Sequence, residues 1–296
     1  MRLDRALSLY AFRPLVGMNA VSRKRALPIL MYHSISDDVE PECSPYYKTA
    51  TSPARFAQHL RWLNDEGFRS VDLEEGVRLA QQGGLEREKR VLITFDDGFR
   101  DFYDSALPVL KSHNHTATVF LPTAFIGPGR QSFKGRECLT WKEVRELRIQ
   151  GIQFGSHTAR HPVLYGNSWV EIQNELSSSK KKLEQELGGT VTSFAYPYAF
   201  PQQDRRFTVA FKKLLQEQGY RHCVTTMIGR VRAGDDLFSL KRLPVNNCDD
   251  KPLLLAKLNG AYDWLAYPQS WFKSVRHRLG RALRKEAGLY PVAESL

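Results

Sequence analysis

Two carboxylates stand side by side in VLITFDDGF (91–99), where an apolar run ends in Asp96, Asp97 and a glycine. Like charges at the end of a buried strand repel unless a cation sits among them. Histidines occur in comparable places. PILMYHS (28–34) delivers His33, and IQFGSH (152–157) delivers His157, with His161 four residues on in SHTARHP. VTSFA runs into Tyr196-Pro197-Tyr198. Two neutral imidazoles and one carboxylate form a common ligand set for a divalent metal, with positions left open for water and substrate. One aspartate would then bind metal, while the other stays unligated and accepts a proton from water that the metal activates. The HxxxH pair lacks the glutamate of HExxH sites, and Pro162 disfavours a helical His161. A loop that brings both imidazoles to one point is therefore expected.

The elements that must position these groups alternate. Strands are expected at 28–34, 68–73, 90–95, 116–122, 152–157, 191–197, 220–226 and 237–245. Helical patterns lie between them at 53–67, 105–114, 140–151, 168–189 and 207–219, with Thr140 and Glu143 forming a capping box. Such alternation implies α/β architecture, either a parallel sheet or a β/α barrel, with chemistry at the carboxyl ends of the strands. The loop 36–52, with Tyr46 and Tyr47, and the loop 123–139 are candidate groove walls. Trp141 reads as packing at a helix start.

The net charge of +11 sits on the ends. Residues 1–25 hold six Lys/Arg against one acid, residues 273–285 hold six with none, and the rest of the 296 residues balances at zero. A nucleic-acid enzyme would carry its charge around its groove, so no nucleic-acid partner is expected. The stretch 270–285 places Trp271, Phe272, Val275, Leu279 and Leu283 along one helical face among basic residues. It reads as a membrane-surface segment or as a terminal helix docked on the barrel. No run approaches the ~20 apolar residues of a membrane span. Arg13 and Pro14 break the apolar part of the N-terminus, which makes a poor signal peptide, so a cytoplasmic location is expected, peripheral at the inner membrane face if the tail binds lipid. The cysteines Cys43, Cys138, Cys223 and Cys248 are scattered and read as reduced thiols.

TFDDG (94–98), SHTARH (156–161) and FAYPY (194–198) resemble the first three motifs of the polysaccharide deacetylases, the NodB-homology or carbohydrate esterase family 4. The resemblance implies a distorted (β/α)7 barrel over residues 28–248, flanked by a basic extension at 1–27 and a basic helical extension at 249–296. It implies Asp96 as general base, Asp97, His157 and His161 as ligands of one divalent metal ion, and the Tyr198 N–H as an oxyanion donor. The metal would be Zn²⁺, with Co²⁺, Ni²⁺, Fe²⁺ or Mn²⁺ able to serve the same ligands. Two departures stand out. Ala195 occupies the place of the arginine that usually braces the base, and no late Leu-x-His motif follows. The histidine of MYHSI (31–35) instead resembles that of a circularly permuted subgroup that includes poly-β-1,6-N-acetylglucosamine deacetylases, which makes His33 the general acid. The implied reaction removes N-acetyl groups from an N-acetylhexosamine polysaccharide or glycan precursor, in bacterial exopolysaccharide or lipopolysaccharide biosynthesis. Competing readings are an O-acetyl esterase or deformylase on a lipid-linked sugar, and a non-catalytic carbohydrate-binding barrel.

Overall fold

In the computed structural model, which describes residues 3–17, 26–40, 48–86 and 88–266, seven strands close into a parallel barrel. They are β1 (Ile29–Tyr32), β2 (Lys89–Phe95), β3 (Thr118–Leu121), β4 (Gln153–Ser156), β5 (Ser193–Ala195), β6 (His222–Ile228) and β7 (Leu240–Pro244). Each pairs with the next in the chain, and β7 pairs with β1 to complete the ring. The ring is uneven. The β4–β5 seam holds the single register pair Ser156↔Phe194, and β6–β7 shifts register between Val224 and Ile228. The expected strand at 68–73 is only Phe68–Ser70, and it pairs with β2 outside the ring.

Helices cover the barrel. Pro53–Asp65 and Leu73–Gln81 follow β1, Leu107–Ser112 follows β2, Trp141–Ile149 follows β3, Trp169–Leu187 follows β4, and Arg205–Glu217 follows β5. The expected box at Thr140 and Glu143 is present, and Ser168 with Glu171 forms a second one at the next helix. Leu73–Gln81 was not legible as a helix from the sequence. It closes the floor of the barrel, where Leu73, Val77 and Ala80 pack on the inward-facing Ile29, Leu92, Phe120, Val224 and Leu240. Trp141 is core.

Alternation along the strands carries this apolar floor into a polar top. On β2 the inward positions are Leu92 and Thr94, and Asp96 continues the series; on β7 they are Leu240 and Arg242. Residues 3–17 dock on the segment 250–264 that follows β7. Lys251–Asn259 is helical, and the Nζ of buried Lys257 lies 2.6 Å from buried Asp249. The basic stretch 270–285, and Tyr46 and Tyr47, lie outside the described residues. Cys138, Cys223 and Cys248 are free thiols.

Gly155 on β4 has no room for a side chain. A Cβ there would sit 2.5 Å from the Phe120 ring and 2.6 Å from Ser193 Oγ. Gly155→Ala should destabilise the fold by about 1–3 kcal/mol through overpacking, read as a lower urea midpoint with an unchanged slope.

Candidate active site and metal centre

The chain after β2 turns sharply. Asp97 and Gly98 both take positive φ, 70° and 63°, so Asp96 and Asp97 leave the strand in different directions. Gly98 is required twice over, by that φ and because a Cβ would lie 2.6 Å from Leu121 Cδ2. Asp96 points into the lumen and is clamped by Arg242. Nη1 donates to Oδ1 and Nη2 to Oδ2, both at 2.7 Å. The guanidinium, fully buried, also donates to the Thr225 carbonyl and to Thr94 Oγ1. Burial alone would raise the pKa of Asp96, but the charges of Arg242 and His157, the hydrogen bonds from Arg242 and the charge of His33 together hold it well below the usual carboxylate range.

Asp97 faces the histidines. Its Oδ1 lies 3.3 Å from His161 Nε2 and 3.7 Å from His157 Nε2, and the two Nε2 atoms are 3.1 Å apart. The three donor atoms fall within 4.8 Å of one another, and all three residues are buried. Oδ1 has no hydrogen-bond partner among the described residues, while Oδ2 accepts from Lys134 Nζ at 3.0 Å. His157 Nδ1 donates to the Ala195 carbonyl at 2.7 Å, which leaves Nε2 as the free lone pair. Burial lowers the pKa of both imidazoles, His161 to about 3, so both are neutral at pH 7. An unpartnered buried carboxylate oxygen beside two neutral imidazole nitrogens is a donor set that fits a divalent cation.

The His157–His161 segment is a loop, as expected. Thr158 and His161 take φ of 68° and 55°. Buried Glu175, from the helix Trp169–Leu187, accepts from the N–H groups of Ala159 and Arg160 at 2.9 and 2.8 Å, and Thr158 Oγ1 accepts from the His161 N–H. Tyr198 is strained as well, at φ 57°. Its ring stands edge-on to His161 at 4.6 Å, its carbonyl accepts from Thr226, and its N–H has no partner among the described residues. His33, half-buried just past β1, heads the charges that lower the pKa of Asp97 against the effect of burial.

The loop 123–139 does form a wall. Its hairpin, Ser132–Phe133 with Arg136–Glu137, lays Phe133 5.2 Å from the His161 ring. Arg136 donates to Ser34 and Ser36, next to His33. Beside this wall opens a cleft of about 440 Å³ lined by residues including Ser36, Asp38, Asp101 and Arg136.

Arg242, Lys134 and Glu175 were not picked out from the sequence. The available signal for Arg242 was an arginine within SLKRLPV, part of the strand expected at 237–245, since parallel strands covered on both faces are mostly apolar. Arg242 brings to Asp96 the guanidinium that the family pattern places at position 195.

The family profile described as polysaccharide deacetylase matches residues 84–222. Bacillus subtilis YxkH, whose name places it among the polysaccharide deacetylases, is 32% identical over 220 residues, 74% of this chain and 71% of that one. The chain belongs to the polysaccharide deacetylase family. The Streptococcus pyogenes deacetylase PplD, solved in complex with acetate, superposes with a TM-score of 0.68 at 30% identity, over 79% of this chain and 98% of that one. IcaB from Ammonifex degensii gives 0.64 at 25% identity, over 79% and 97%. The poly-β-1,6-N-acetyl-D-glucosamine N-deacetylase of Staphylococcus aureus is 26% identical over 53% of this chain and 56% of that one. The profile match contains the Asp, His and Tyr motifs but neither His33 nor Arg242.

Removing the clamp tests its role. Arg242→Met leaves a buried carboxylate unpaired and should cost about 3–5 kcal/mol at pH 7. The sign of the pH dependence should also change. In the parent the pair's contribution is present above the unfolded carboxylate value of 3.8 and is lost as pH falls through the lower folded value. In the variant, burial raises the pKa of Asp96, so stability should fall as pH rises above 3.8. Urea midpoints of metal-stripped protein across pH 3–7 would read this.

Proposed function

We propose that this chain is a metal-dependent hydrolase that removes N-acetyl groups from an N-acetylhexosamine-containing polysaccharide or glycan precursor. The observation that carries the reading is the separation of the paired carboxylates: Asp97 Oδ1 is unpartnered among the imidazoles, while Asp96 is ionised and clamped next to them. One group is placed to bind a cation and the other to take a proton. The relatives support the substrate class. The Staphylococcus aureus protein is named for N-deacetylation of poly-β-1,6-N-acetyl-D-glucosamine, and PplD holds acetate.

A divalent cation held by Asp97, His157 and His161 supplies Lewis acidity and lowers the pKa of water. Zn²⁺ suits two imidazoles and a carboxylate with one position open. Asp96 accepts the proton of the attacking water, and the Arg242 clamp keeps the carboxylate oriented through that transfer. The Tyr198 N–H, without a partner among the described residues and held by the strained turn, donates to the developing oxyanion. His33, half-buried just past β1 and near enough to both carboxylates to favour their ionised forms, protonates the departing amine, so acetate and a free amino sugar leave.

The test is acetate release from N-acetylglucosamine oligomers by metal-stripped protein, with and without Zn²⁺ or Co²⁺. Release should require metal. Asp96→Asn and His33→Ala should each lower kcat by about 10²–10⁴-fold. Release from O-acetylated sugars alone would favour the esterase reading. Equal rates with and without metal would overturn the proposal.

A further inference from the structure

His33 and Asp96 leave the barrel from neighbouring strands, one just past β1 and the other at the end of β2. Asp96 is fixed by its arginine. No hydrogen bond holds the His33 ring among the described residues, so its backbone decides where it stands. That backbone departs from the ring of strands at His33, and Ser34–Ile35 pairs with Ala50–Thr51 instead. It is gripped one residue on. Ser34, fully buried, donates through Oγ to Asp101 Oδ2 at 2.5 Å and accepts from Arg136 Nη1 at 2.8 Å. The same Nη1 reaches Ser36 Oγ at 2.9 Å and Asp38 Oδ2 at 2.5 Å, and lies 4.0 Å from Asp101 Oδ2. The Arg136 and Asp101 side chains are only 19% and 17% exposed, so these charge-assisted bonds are largely shielded from water. Both grips come from the carboxylate side of the site. Asp101 follows Asp97 closely in the chain. Arg136 belongs to the hairpin whose Lys134 pairs with Asp97. The base of that hairpin is tied to the carboxylate turn: the Arg100 N–H donates to the Glu137 carbonyl and the Leu139 N–H to the Gly98 carbonyl, both at 2.9 Å.

We propose that Arg136 is a positioning residue for the general acid. With Asp101 it clamps Ser34 to the carboxylate turn, and through Ser34 it sets the His33 imidazole against Asp96 and Asp97. This rests on the reading of His33 as the group that protonates the departing amine. Proton delivery to a leaving nitrogen tolerates little error in distance or direction, and a displacement of about 1 Å costs up to about 10²-fold. Ser34 is fully buried and out of reach of a glycan, so its part is confined to holding the strand. A direct hold on a sugar hydroxyl by Arg136, which lines the cleft, is the rival role, and it separates from positioning by experiment.

A double-mutant cycle on acetate release from N-acetylglucosamine oligomers by Zn²⁺-loaded protein tests this. Arg136→Met and Ser34→Ala should each lower kcat about ten- to a hundredfold, with KM within about twofold of the parent's. In the His33→Ala background no acid remains to be misplaced, and each substitution should change kcat by less than about twofold. Arg136→Lys keeps a donor toward Ser34 and should recover part of the Arg136→Met loss. Zinc content should stay at about one ion per chain in every variant, because Ser34 and Arg136 make no bond to Asp97, His157 or His161. Equal losses in the parent and His33→Ala backgrounds, a rise in KM with kcat unchanged, or zinc lost from Ser34→Ala would each overturn the proposal. A parent-like kcat in His33→Ala alone is a different failure, that of the acid assignment itself, and would take this proposal with it.

Discussion

A buried guanidinium holds the active end of this barrel together. Asp96 and Asp97 are consecutive and both buried, and two adjacent carboxylates can stay ionised in a dry lumen only if separate cations compensate each. Arg242 provides a permanent charge for Asp96. Lys134 provides one on the far oxygen of Asp97, and the near oxygen is left for whatever the histidines hold. The imidazoles are neutral at pH 7, so they offer lone pairs rather than charge. The carboxylates therefore cannot exchange roles: the one bound bidentate by arginine has no spare oxygen facing the histidines as closely as Asp97 does.

The backbone keeps that division in place under strain. Of the six non-glycine residues with positive φ among those described, Asp97, Thr158, His161 and Tyr198 belong to the site, and Lys134 reaches into it. Such conformations cost roughly 1–3 kcal/mol each and persist only where the surroundings over-determine them. Here the surroundings can be named. Glu175 ties the His157–His161 loop, Thr226 ties Tyr198, the Gly98 turn is locked by the Leu139 N–H, and Phe133 packs on His161.

Much of this was legible before any coordinates. Strand-end carboxylates and histidines are local signals: a short apolar run followed by a polar residue fixes both the strand and the end at which chemistry sits. Asp97, His157 and His161 converge and His33 lies beside them because parallel strands deliver their ends to one rim. The floor helix Leu73–Gln81 escaped notice because Glu74 and Glu75 interrupt its short apolar pattern. Arg242 escaped for a different reason. Its meaning lies in a partner 146 residues away on a strand two places round the ring, and only closure of β7 onto β1, next to β2, brings the two together. The alanine at 195 looked like a missing brace, whereas the brace arises from another strand.

The central claim is that Asp97 and Asp96 divide metal binding from proton transfer. Metal content after dialysis against limiting Zn²⁺, measured on Asp96→Asn and Asp97→Asn side by side, tests it most directly. The account requires about one ion per chain retained in Asp96→Asn and an affinity lower by about ten- to a hundredfold or more in Asp97→Asn. Loss of the ion in Asp96→Asn with retention in Asp97→Asn would contradict it.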